Sequence, residues 1–188
     1  MQRSILGFVL LALSAAANAD NFDYTYFSLG YGTIEFDDIN VDGDGLGIDG
    51  SVAISDSVHL FAGYTAAGLD FDVDATQFGA GIGYNTSLSD VVDLVARLSY
   101  EYVELDGPGG SIDDNGIGLG LGIRFAATEQ LELNAGIDYV DLSDSGGDTG
   151  FGVGGLYSFT DSFALGLGGN WSDDVSSYTV SGRFYFGN

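Results

Sequence analysis

Charged residues at fixed spacing are the first candidates for chemistry. Asp93, Arg97 and Glu101 stand four residues apart, and Arg124, Glu132, Asp138 and Arg183 follow. Carboxylates and guanidinium groups gathered on one surface can do two things. Paired, they form a network that fixes the elements carrying them. Exposed along a water-filled path, they sort ions by charge. A second pattern is Asp38-Ile39-Asn40-Val41-Asp42-Gly43, with Asp49 in twelfth place. It fits the opening of a calcium loop, in which carboxylates alternate before a sharp glycine turn. Asp38, Asn40 and Asp42 are its candidate ligands. The twelfth residue is Asp rather than Glu, and Asp-Gly runs also build ordinary turns. The chain has one histidine, His59, and no cysteine. No nucleophile motif accompanies that histidine, so no catalytic constellation and no enzyme is expected. The glycine patterns at 79–83 and 118–122 lack the helix that a nucleotide fingerprint requires.

The elements that position these residues follow from a repeat. Four short turn signals recur: Ser55-Asp56-Ser57, Ser89-Asp90, Thr128-Glu129-Gln130 and Thr160-Asp161-Ser162. Each leads directly into an alternating apolar run. Their acidic residues are 34, 39 and 32 positions apart, which is the length of a strand, a second turn and a strand back. Between them lie longer acidic, glycine-rich segments at 37–45, 70–75, 105–115, 142–149 and 173–177. Ten strands result, at about 24–36, 46–55, 58–69, 76–87, 91–104, 116–127, 131–141, 150–159, 163–172 and 178–186. Eight is the alternative count.

Side chains alternate between the two faces of a strand. The run 116–127 sets Ile117, Leu119, Leu121, Ile123 and Phe125 against Gly118, Gly120, Gly122 and Arg124. The run 76–87 sets Phe78, Ala80, Ile82 and Tyr84 against Gln77, Gly79, Gly81 and Asn85. A soluble sandwich would place its charges on the face opposite the large apolar one. Here the opposite face is mostly Gly, Ser and Asn. That composition suits the inside of a narrow barrel with lipid around it. The fold class expected is therefore all-β: a transmembrane, antiparallel, up-and-down β-barrel. Aromatic residues near the strand ends (Tyr24, Tyr26, Phe36, Tyr64, Tyr84, Tyr100, Tyr102, Tyr139, Tyr157, Phe159, Trp171, Tyr178 and Phe186) read as interfacial girdles.

The first 19 residues read as a secretory leader. Arg3 gives a positive start, Ile5 to Leu13 a short apolar stretch, and Ala17-Asn18-Ala19 a small-residue cleavage site. Residues 20–188 would then form one barrel domain in the cell outer membrane. No other stretch approaches the roughly 20 apolar residues of a spanning helix. Removing the leader leaves three arginines against 28 carboxylates, a formal charge of −25. Such a surface repels nucleic acid. It attracts cations, and divalent ions could bridge its acidic loops to lipopolysaccharide phosphates.

The strand parity sends Asp93, Arg97, Glu101, Arg124, Glu132, Asp138 and Arg183 to the inner face, as an ion-paired lumen. His59 and Asp49 face the same way. Small barrels fill their interiors with side chains, which favours a structural plug. A narrow channel for small solutes or cations is the alternative.

The stretch Gly50-Ser51-Val52-Ala53-Ile54 with His59-Leu60-Phe61-Ala62-Gly63-Tyr64 resembles a family of small xanthomonad outer-membrane proteins. So does Gly81-Ile82-Gly83-Tyr84-Asn85-Thr86 followed by Asp93-Leu94-Val95-Ala96-Arg97. The resemblance is best over about residues 44–106, and such proteins belong to the OmpA-like and opacity-type barrel group. It implies location and fold, insertion by the barrel-assembly machinery, contact with outer-membrane lipid, and links to surface adhesion, biofilm or host interaction. It carries over no catalytic residue and no cofactor. Barrels of this kind usually end on an aromatic residue, whereas this chain ends Phe184-Tyr185-Phe186-Gly187-Asn188.

Overall fold

The computed structural model describes residues 22–36, 40–173 and 175–186. The expected leader, Asp38 of the calcium pattern and the last two residues lie outside the described residues. Ten strands form: β1 (Tyr26–Phe36), β2 (Val41–Ser55), β3 (Val58–Leu69), β4 (Val73–Ser89), β5 (Val92–Gly107), β6 (Gly110–Ala126), β7 (Leu131–Leu142), β8 (Gly146–Thr160), β9 (Phe163–Trp171) and β10 (Val175–Tyr185). Each pairs antiparallel with the next, and β10 pairs with β1 from Tyr26↔Tyr185 to Phe36↔Val175. The sheet is thus a closed, up-and-down barrel without an edge. Ten strands about 4.8 Å apart and tilted by about 40° enclose a backbone cylinder roughly 20 Å across.

The outer face is the apolar one. In β6, Ile117, Leu119, Leu121, Ile123 and Phe125 are all exposed, and the residues between them point inward. The same holds for Leu46, Ile48, Val52 and Ile54 in β2. A belt of this composition stands out of water only when lipid covers it. Aromatic contacts mark its two borders. At one end Phe151 stacks on Trp171 at 5.2 Å, and Trp171 meets Tyr178 edge-on at 5.8 Å. At the other, Tyr157 meets Phe159 at 4.9 Å and Phe163 meets Phe184 at 5.0 Å. Beyond the first border the outward positions turn acidic. Tyr31 donates to Asp44 at 3.1 Å and Tyr102 to Glu104 at 3.2 Å, joining girdle to rim.

The long acidic segments differ from expectation. Most of 41–45, 73–75, 105–107, 110–115 and 146–149 is strand rather than loop. A backbone ladder needs no apolar side chains, so polar strands continue above the belt where alternation no longer marks them. At the other end, three short turns begin with a register shift, at Ala53/Ser55, Ser87/Ser89 and Ser158/Thr160. Such bulges at a barrel rim tighten the local twist. Phe71 and Asp72, at the β3–β4 turn, both adopt positive φ, the pattern of a tight hairpin turn.

Three expected girdle residues are corrected. Tyr24, Tyr26 and Phe36 are buried on the inside. Their parity differs from that of the exposed Phe27, Leu29 and Tyr31, so the alternation itself decides their direction.

The belt makes a direct prediction. Leu121→Arg places a charge on the lipid face opposite Ala96 and Ile137. It should lower stability by about 2–4 kcal/mol in a bilayer. Thr33→Arg, near the rim, should cost under about 1 kcal/mol. Denaturant titration of both variants folded in lipid vesicles measures the difference.

Candidate functional site: the barrel lumen

The lumen is built from long polar side chains seated against glycines of the neighbouring strand. The register sets Glu101 opposite Gly79 and Gly116, and Arg97 opposite Gly83 and Gly120. Asp138 lies opposite Gly120 and Gly150. The fit is close: a methyl group at Gly79 would meet the Glu101 carboxylate at 2.6 Å. One at Gly118 would meet the Ser99 hydroxyl at 2.5 Å, and one at Gly83 would collide with the His59 ring. These glycines are recesses that let charged groups lie flat against the wall.

The short-turn end holds most of the packed interior. Phe22 and Tyr24 precede β1 and turn into the lumen, with 3% and 6% of their surface exposed. They join Tyr26, Val95, Leu156, Ala164 and Tyr185 in one buried cluster. Their polar contacts lie on three other strands, β3, β5 and β6. The Tyr24 hydroxyl donates to Asp93 of β5 at 3.0 Å, and its ring stacks on His59 of β3 at 4.6 Å. The Arg124 guanidinium of β6, which faces β1 across the ring, lies over Phe22 at 4.5 Å and over Tyr24 at 4.8 Å. Arg124 also forms a bidentate pair with Glu132, Nε to Oε1 at 2.8 Å and Nη2 to Oε2 at 2.7 Å. Its exposure is 1%.

Each predicted lumen residue can now be placed. Asp93, Arg97, Glu101, Arg124, Glu132, Asp138 and Arg183 all face inward; Arg124 and Glu132 form an ion pair, and the others make the contacts that follow. Asp93 accepts from Tyr24 and, at 2.8 Å, from Ser87, although the register sets it opposite Arg124. Arg97 lies over the Phe61 ring at 4.8 Å, and its Nε and one terminal nitrogen meet no acceptor among the described residues. Glu101 accepts from Ser99 at 2.5 Å. Arg183 donates to Ser28 at 3.0 Å and lies over Tyr26 at 4.0 Å. All three arginines thus rest on aromatic faces, which stabilise a cation that has lost most of its bulk water. His59 is wholly buried, and its Nδ1 approaches Asn85 Oδ1 at 3.3 Å. Asn85 donates onward to the Asp56 carbonyl at 3.1 Å. Nδ1 therefore carries the proton.

Above this plug the interior mixes polar and aromatic groups and leaves small spaces. A cavity of about 70 Å³ is bordered by Tyr26, Asp49, Phe61, Gln77, Arg97 and Glu101. Smaller spaces of about 20 and 30 Å³ lie beside Asp138 and Asn170 and beside Gly30, Gly45 and Thr179. Each has room for a few waters at most.

Of the calcium pattern, Asn40 has φ of 52° in the β1–β2 turn, and Asp42 is exposed in β2 with its amide donating to Asp70 at 3.3 Å. Asp49 faces the lumen, away from both. Among the described residues no group of three or more His, Cys, Asp or Glu is placed to hold a metal ion.

An inside-out closed barrel with a polar lumen narrows the chain's relatives to one class. Residues 4–159 match the family described as outer membrane protein beta-barrel domain. The chain belongs to that family. It is an outer-membrane protein, so its short-turn end faces the periplasm. Similar solved structures share the fold. One is the NanC porin, at 8% identity and TM-score 0.52, covering 85% of this chain and all of that one. Another is an outer membrane channel from Pseudomonas putida F1, at 11% identity and TM-score 0.53, covering 95% of this chain and all of that one. The N-terminal β-barrel domain of Pseudomonas aeruginosa OprF is 12% identical with TM-score 0.47, over 86% and 98% of the two chains. No curated protein matches.

Sequence reading missed Phe22, which precedes the expected first strand, and set Tyr24 in a girdle although its parity with Tyr26 points inward. Phe61 and Ser99 carried the inward parity and could have been chosen by it.

The Arg124–Glu132 pair yields a second prediction. Glu132→Ala strands a buried guanidinium and should destabilise the folded barrel by about 3–5 kcal/mol. Replacing both partners, as Arg124→Met with Glu132→Leu, should cost markedly less. Unfolding midpoints in lipid compare the two. The reverse order would show that the pair itself, and not the stranded charge, sets the cost.

Proposed function

We propose that this protein is a non-enzymatic outer-membrane barrel with a structural role at the cell surface, its lumen held shut in the resting state. The observation that carries the reading is the packed periplasmic half, where Phe22, Tyr24, Arg124, His59 and Arg183 are all buried. The only histidine is locked between Tyr24 and Asn85, which leaves it no access to a substrate. On the outer side, exposed Glu35, Asp42, Asp44, Asp74, Asp106 and Asp113 crown the belt. Divalent cations held diffusely there would bridge the barrel to lipopolysaccharide phosphates.

Porins and channels among the similar structures favour a second reading, a narrow channel for cations or small solutes. The glycine-lined space around Arg97 supports it. The two readings part in a planar bilayer. The refolded mature protein, shown to be folded by heat-modifiable gel migration, should give long silent records in 1 M KCl. Frequent unitary steps from the unaltered protein would overturn the closed reading.

A further inference from the structure

The periplasmic closure is of an unusual kind: its central residues do not belong to the barrel wall. Strand pairing begins at Tyr26. Thr25 fastens the strand end, its carbonyl accepting from Phe186 at 3.2 Å and its hydroxyl from the Ala53 amide at 3.2 Å. Asp23 accepts from the Thr25 amide at 2.7 Å, an Asx turn that directs the chain inward. Beyond that turn, Phe22 and Tyr24 are held by side chains: a hydrogen bond to Asp93 of β5, a stack on His59 of β3 and two ring contacts with Arg124 of β6. The wall groups they touch have partners of their own. Arg124 keeps Glu132, His59 keeps Asn85, and Asp93 keeps Ser87. Withdrawing residues 22–24 therefore breaks no strand ladder and strands no wall charge.

We propose that residues 22–24 are a tethered plug hinged at Thr25, and that its release opens a cation-preferring path through the barrel. The path would run past Asp93 and Arg124 into the polar chamber bordered by Asp49, Arg97 and Glu101. Inward carboxylates, among them Asp49, Asp93, Glu101, Glu132 and Asp138, outnumber the three inward arginines, and the outer mouth is acidic. An excess of negative charge along a narrow path selects cations. The proposal goes beyond the closed resting barrel, because it assigns the closure to a movable part.

Bilayer recordings of the full mature chain test it, with Phe22→Ala/Tyr24→Ala beside the unaltered protein. The expected result is silence from the latter and discrete steps from the variant, with a reversal potential shifted toward cations in a KCl gradient. A folded variant as silent as the parent would overturn the plug while leaving the closed-barrel reading intact. Equal unitary steps and open times in both proteins would overturn the plug and the closed reading together. If the double variant fails to fold, Tyr24→Phe removes only the hydroxyl, with its bond to Asp93 and its contact with Arg124. It should raise open probability by about tenfold or more, the worth of a hydrogen bond to a charged acceptor. An open probability equal to that of the parent would then overturn the proposal.

Discussion

Every amide in the wall of this barrel must find its carbonyl on a neighbouring strand, because the lipid around it offers none. The remaining features follow from that constraint. The sheet cannot have an edge, so β10 must reach β1 along the full length of both. Closure at ten strands sets a narrow interior. The outside must be apolar, so the polar half of every strand is turned inward, where bulk water cannot follow. The interior problem of a soluble protein is thereby reversed: polar groups, rather than apolar ones, have to be packed to density.

Two devices solve it. Glycine on one strand receives the long side chain of the next, as Gly79 receives Glu101 and Gly83 receives His59. Part of the chain's glycine content is thus a packing solution, as at Gly79, Gly83, Gly118 and Gly152. The second device is the aromatic face. A guanidinium in the lumen loses most of its bulk water, and a carboxylate partner for every arginine would fix charge against charge at a desolvation cost that often exceeds the gain. Phe61, Tyr26, Phe22 and Tyr24 instead cover the arginines with polarisable surface. Arg124 combines both solutions, carboxylate on its edge and rings on its face.

The alternation of period two made the strands, their count and their faces legible, because lipid enforces it residue by residue from Ile117 to Phe125. Where lipid ends, that enforcement ends, and the upper parts of β2, β4, β6 and β8 read as loops in the sequence although they are paired strand. Inward direction was equally legible for Arg97, Arg124 and Arg183, and Arg124 and Glu132 both stood in the expected ion-paired set. The aromatic faces beneath the arginines were not legible. Parity assigns a face but says nothing of how far a long side chain reaches along it. Asp93 illustrates the gap: register puts it opposite Arg124, yet it takes the hydroxyls of Tyr24 and Ser87.

The two ends of the lumen differ in a way that bears on function. At the extracellular end Ile34, Phe36 and Val175 form a small apolar cluster with Val41 and Leu69, all from the adjacent wall strands β10, β1, β2 and β3, so that it lines one side of the mouth. Such a cluster can move only if the ladder moves. At the periplasmic end the largest contributors, Phe22 and Tyr24, come from chain that has left the ladder. The same side-chain contacts therefore close that end with a much smaller barrier to rearrangement, since three residues rather than a strand must shift. A closed barrel wall is the stiffest part of such a molecule, and rearrangement comes most easily in what the wall does not pair. Phe22, Asp23 and Tyr24 are such a stretch.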